Sequence, residues 1–127
     1  LWEKGTYIIN NFKTIIEKYH LNANVSIAGY PVRMMVNTHD TNGMQNYKLA
    51  SLYQQEMFKN GVLCWSGLMN FSFSHTQEDL AHVVGAFDKT CQVLQKAIEK
   101  NDYDSFLTCK VGAPVFKGLR ERNAVSN

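Results

Sequence analysis

Met69-Asn70-Phe71-Ser72-Phe73-Ser74-His75-Thr76-Gln77-Glu78-Asp79-Leu80 changes its period at Thr76. Before Thr76, the apolar Met69, Phe71 and Phe73 alternate with Asn70, Ser72 and Ser74. A period of two gives a strand one apolar and one polar face. After Thr76, Leu80, Val83, Val84, Phe87, Cys91, Leu94 and Ile98 recur at intervals of three or four, the face of a long helix. Thr76 has the side chain of an N-cap, and Asp79 stands where its carboxylate reaches back to free N–H groups. The spacing predicts a strand over Met69–His75 with Phe71 and Phe73 in the core, then a helix ending near Lys100-Asn101.

Working outward toward the N-terminus, Val62-Leu63-Cys64-Trp65 reads as a short strand that Ser66-Gly67 breaks. Leu49, Leu52, Tyr53 and Met57 form the apolar stripe of a helix over Met44–Asn60, with Asn60-Gly61 as its stop. His39–Gly43 is the most turn-rich stretch. Val25 and Ile27 alternate with small residues, and Val32–Val36 resumes as a second strand. Pro31 lies between them and cannot donate a ladder hydrogen bond, so a bend or an edge position is expected there. Ile8, Phe12, Ile15, Ile16 and Tyr19 define a first helix, which should fail near His20–Asn24. The order is helix, strands, helix, strands, long helix, tail. It predicts an α+β fold with helices packed on a small, mostly antiparallel sheet. The 127 residues make one domain, with a less regular tail over 101–127.

Bulk properties exclude several functions. Hydrophobic residues make up 45%, enough for a core. Thirteen Lys and Arg against 11 Asp and Glu leave a formal charge of +2, too small and too scattered to point to nucleic acid. The one basic cluster, Lys117, Arg120 and Arg122, is interrupted by Glu121 and reads as a solvated tail. Phe71 and Phe73 lack the interleaved cations of a base-stacking platform. No apolar run approaches the roughly 20 residues of a membrane span. There is no secretory leader pattern. The chain starts at Leu1 and reads as helix at once, as a trimmed piece of a longer protein would. Cys64, Cys91 and Cys109 are odd in number and form no Cys-x-x-Cys pair, so zinc and a disulfide framework are not expected. Free thiols suit a cytoplasmic protein. Cys64 has no basic neighbour to lower its pKa and reads as structural. His75 reads as a local hydrogen-bonding partner beside Thr76. His20, His39 and His82 have no acidic or cysteine partner at ligand spacing, so no metal site is expected.

Five stretches resemble the end of class III, fold type I aminotransferases. They are Leu1-Trp2-Glu3-Lys4-Gly5, Gly29-Tyr30-Pro31 before an apolar strand, and Tyr53 through Leu63. Ser66 through Leu80 and Ala113-Pro114-Val115-Phe116 complete the set. Their order and spacing cover nearly the whole chain and are similar to the branch that includes glutamate-1-semialdehyde aminomutase. The resemblance implies a pyridoxal-phosphate enzyme that moves an amino group to or within an aldehyde or keto substrate. It also implies a homodimer, of which this chain is the C-terminal small domain. In that family the cofactor is carried by a lysine and supported by an acidic partner, both on the large domain. None of the ten lysines here stands in the family's lysine motif, and no Gly-rich phosphate loop is present. The chain alone is expected to hold no cofactor and no catalytic residue; its partner is its own missing large domain.

The family's small domain covers the active-site cleft. By position, Ser66, Gly67, Met69 and Asn70 are the substrate-facing candidates of the covering loop. Arg33 is a further candidate, because guanidinium grips a carboxylate or phosphate in bidentate fashion; the plainer reading is an exposed strand arginine. The branch often has histidine where this chain has Met69, and the aminomutases' glutamate near this loop has no clear counterpart, so the resemblance does not carry their substrate. Trp2 and Tyr7 are expected to look exposed where the large domain is missing. The alternative is a free-standing α+β small-molecule binding or regulatory module without catalysis. A cysteine-dependent enzyme would need a base near Cys64, and none stands nearby.

Overall fold

A computed structural model describes residues 1–64 and 67–112. Trp65, Ser66, the Ala113–Phe116 stretch and the Lys117–Arg122 cluster lie outside these residues.

The first helix, α1 (Trp2–Lys18), buries Ile8, Phe12, Ile15 and Ile16 and carries Glu3 and Lys18 at the ends that suit its dipole. It stops where expected, but histidine supplies the stop. His20 takes a left-handed φ of 56°, and the Leu21 N–H returns to the Ile16 carbonyl at 2.9 Å. That closure tucks Leu21 into the core. Asn24 is buried, and its side chain donates to the His39 carbonyl at 3.1 Å.

Strands β1 (Val25–Tyr30) and β2 (Arg33–Thr38) form an antiparallel hairpin in register from Val25↔Thr38 to Tyr30↔Arg33. Pro31 and Val32 make its two-residue turn, where a missing N–H disturbs no ladder. Gly29 has a φ of +91°, and a Cβ there would lie 2.6 Å from the Arg33 carbonyl oxygen. β3 (Leu68–Asn70) adds antiparallel to β2, giving the order β1-β2-β3. Val25, Met34, Val36 and Met69 point into the core. Tyr30, Arg33, Met35 and Asn70 stand on the opposite, exposed face.

Two helices complete the layer. α2 (Tyr47–Lys59) starts later than Met44. The Asp40 carboxylate accepts from the Asn42 and Met44 N–H groups and holds that stretch in a turn, and Asn46 then caps the helix by accepting from the Leu49 N–H. α3 (Gln77–Lys100) has the expected capping box between Thr76 and Asp79 and ends on Asn101, left-handed at φ 49°. Both α1 and α2 pack on α3. Phe12 and Phe87 stack at 3.7 Å with planes 6° apart, and Tyr53 meets Phe87 edge-on at 6.2 Å. Each of these fully buried rings contributes about 1.5–3 kcal/mol by leaving water.

Two strand expectations fail. Val62–Cys64 forms no strand. The Val62 N–H donates to the Met57 carbonyl across the left-handed Gly61, so this backbone closes α2, and Leu63 is 83% exposed. The alternating run beginning at Met69 pairs only as far as Asn70. One further bond joins the Phe71 N–H to the Val32 carbonyl; there β2 has already turned away, and the run has no partner. Residues 72–75 curl into a turn, and Phe73 is 79% exposed rather than in the core. Phe71 is half-buried against the core.

The first part of the tail docks on α2. The Gln55 amide donates to the Phe106 carbonyl and accepts from the Thr108 N–H, and the Ser51 hydroxyl accepts from the Gly112 N–H. Phe106 and Leu107 rest against the core.

Candidate functional site

The sheet register brings two of the candidates together. Arg33 and Asn70 are direct antiparallel partners, and Tyr30 is the partner of Arg33 on the other side. Directly opposed residues point to one face, so Tyr30, Arg33 and Asn70 form a row across the exposed side of the sheet. Arg33 makes no salt bridge among the described residues. Its guanidinium can take a carboxylate or phosphate while the Asn70 amide supplies a neutral hydrogen bond.

The other candidates divide. Met69 faces the opposite way, pairs with Met34 and is 7% exposed. It anchors β3 and is turned from the row. Gly67 is buried with φ +85°; its carbonyl accepts from the Val36 N–H at 2.9 Å, and a Cβ would come within 2.2 Å of the Val36 oxygen. It sets where β3 begins. Ser66 lies outside the described residues.

Beside the row, a half-open cleft of about 650 Å³ runs between β3 and the start of α3. Leu68, Met69, Phe71, Leu80 and Val83 make its apolar wall, and Asn70, His75 and Asp79 supply polar atoms. His75 Nδ1 accepts from the Ser72 N–H at 3.0 Å, which leaves the neutral ring's proton on Nε2. The Asp79 carboxyl is held below its ordinary range by the Thr76 N–H and then by the Thr76 hydroxyl. Both groups have structural duties. Cys64 also lines the cleft, but burial pushes its thiol up, which opposes a nucleophilic role.

The cleft does not fit pyridoxal phosphate as a self-contained site. No lysine lines it. Several lysines are engaged elsewhere: Lys18 with Asp88, Lys48 with Asp104, Lys59 with Glu56, and Lys4 with the Phe73 and His75 carbonyls. Among the described residues no His, Cys, Asp and Glu cluster could hold a metal ion. No helix among them is long and apolar enough to cross a membrane.

Three residues quoted from the sequence but not named as site candidates build the surroundings of the row. Tyr30 joins it through the two-residue turn, which fixes the register. Gly5 lets the α1 backbone touch the hairpin turn, since a Cβ there would fall 1.6 Å from the Pro31 oxygen. Lys4 ties α1 to the segment after β3. Trp2, 56% exposed, reaches Tyr30 at 6.4 Å, and Tyr7 is 36% exposed.

No protein-family model matches the sequence, and no curated protein matches it. Among solved structures, the chain is similar to an omega-transaminase from Sphaerobacter thermophilus, with a TM-score of 0.64 and 11% identity. The likeness covers 75% of this chain and 24% of that one, so the chain spans about a quarter of the length of the protein it resembles. At this identity the likeness is one of fold: among the described residues, three helices on a three-stranded antiparallel sheet, an α+β arrangement shared with part of a transaminase.

Proposed function

We propose that this chain is the C-terminal small domain of a pyridoxal-phosphate-dependent class III aminotransferase or aminomutase, similar to the glutamate-1-semialdehyde aminomutase branch. The parent enzyme transfers an amino group to or within an aldehyde or keto substrate. It works in the cytoplasm as a homodimer, and this domain covers the active site of a large domain that carries the cofactor. The observation that carries the reading is the shared fold with a quarter of an omega-transaminase. The ordered stretches from Leu1-Trp2-Glu3-Lys4-Gly5 to Ser66–Leu80 support it from the sequence side.

When bound to the parent, the cofactor supplies the electron sink for moving the amino group. The residues of this chain contribute binding and enclosure. Arg33 and Asn70 hold an anionic or polar end of the substrate from the sheet face. Gly67 and Met69 fix the strand that presents Asn70. Excluding water over the cleft strengthens these contacts.

The test is cofactor titration of the isolated chain, borohydride reduction and peptide mapping. No lysine should be trapped stoichiometrically. The chain joined in frame to its upstream coding region should then bind the cofactor and transfer amino groups. One lysine of the isolated chain modified one-to-one would overturn the reading. The rival, a free-standing small-molecule module, is favoured by the 650 Å³ cleft between β3 and α3. It expects a small ligand to bind the isolated chain and raise its urea midpoint.

A further inference from the structure

β3 is the last strand of the sheet, and its far edge is open. The Val36 N–H donates to the Gly67 carbonyl, and the Phe71 N–H to the Val32 carbonyl. In an antiparallel ladder such bonded positions alternate with positions whose backbone groups point away. With Met34 opposite Met69, Gly67, Met69 and Phe71 therefore turn their backbone groups toward β2. Leu68 and Asn70 turn theirs outward, and no hydrogen bond among the described residues takes those N–H and C=O groups. The 650 Å³ cleft runs along this edge: residues 68–71 line it, no residue of β2 does, and Leu80 and Val83 of α3 stand across it. Edge strands are commonly blunted by lysine, proline or a bulge. Leu68-Met69-Asn70 has none of these.

We infer that the open edge of β3 takes an extended polypeptide segment by strand addition, a binding function beyond the one proposed above. Two N–H and C=O pairs on the same side of a strand, roughly 6.8 Å apart, match the edge of any extended peptide. An aliphatic ligand would cover the apolar wall and leave those polar groups buried without partners; a peptide strand satisfies both. The register also sets the side chains of the added strand. Directly opposed residues share a face. The residue opposite Met69 points toward Leu80 and Val83 and is apolar, whereas its neighbours lie on the face of Asn70 and Arg33 and are polar. The His75 Nε2–H, left free by the bond at Nδ1, lines the same cleft and offers one more donor.

The experiment pans a random-peptide phage library on the 127-residue chain and measures the affinity of the selected peptide, made synthetically, by calorimetry. The peptide should alternate apolar and polar residues. N-methylation of one alternate set of its amides should weaken binding at least about tenfold, the loss of two hydrogen bonds, while methylation of the other set leaves it unchanged. Leu68→Pro removes an outward N–H and no ladder bond, so it should fold, by circular dichroism and urea midpoint, and weaken binding similarly. The two methylated peptides test the edge without any change in the protein. No selected peptide, or equal affinity for the parent and both methylated peptides, would overturn the inference and leave the domain reading standing. Self-association of the isolated chain that Leu68→Pro abolishes would assign the edge to a second copy and overturn it as well.

Discussion

Gly5 shows how one residue's role reverses between local and tertiary reasoning. In an isolated helix, Gly→Ala stabilises by about 1 kcal/mol. At Gly5 the added methyl would lie 1.6 Å from the Pro31 oxygen, a backbone atom that cannot swing away. Gly5→Ala should therefore destabilise, by about 1–3 kcal/mol or more. Gly85, on the exposed side of α3, has nothing within 4 Å of a built Cβ, and Gly85→Ala should stabilise by about 1 kcal/mol. Urea midpoints of the two variants should move in opposite directions; a shared direction would contradict the contact. Tyr53 makes a second case. It is 2% exposed, its hydroxyl has no hydrogen-bond partner among the described residues, and burial pushes its pKa well up. Tyr53→Phe removes an unsatisfied group from the core and should stabilise by about 1 kcal/mol, read by thermal unfolding.

At the scale of elements, α3 was legible because a cap and an apolar stripe agree along one stretch, and the stripe runs out near Lys100-Asn101. Thr76→Ala removes the side chain that accepts from the Asp79 N–H and should cost about 1 kcal/mol. Asp79 titrates lower in the folded chain than its ordinary value. Its contribution is present above the unfolded pKa and is lost as pH falls through the lowered folded one. Asp79→Asn should flatten the loss of stability at acid pH relative to the wild type, measured as the urea midpoint across the carboxylate range. The strand over Met69–His75 was misread for a physical reason. Alternation says that a segment is able to pair, and pairing also needs a neighbour of equal length. β2 turns at Val32 and Pro31, so only Leu68–Asn70 finds one. The apolar run Val62–Cys64 failed similarly, because its backbone was already used to close α2.

For the whole molecule, enclosure decides reactivity. Cys64 and Cys91 are buried with thiols pushed up, and Cys109 is exposed. A thiol reagent should modify Cys109 first under native conditions, with Cys64 and Cys91 following only as urea unfolds the chain. Equal rates for all three without denaturant would contradict the packing. The candidate site is likewise a whole-molecule product. Arg33 and Asn70 were each legible as polar residues beside turns, but their meeting depends on a strand register that neither residue reports.

By itself the sequence determined the α+β class, the three helices with their buried stripes, the hairpin break at Pro31 and the capping box of α3. These follow from periodicity and from backbone preferences that act within a few residues. Only the tertiary structure decided how far β3 extends, that Met69 turns inward while Asn70 joins Arg33, and that Trp2 reaches Tyr30. Those outcomes depend on partners distant in sequence, and a one-residue change of strand register would send each side chain to the opposite face.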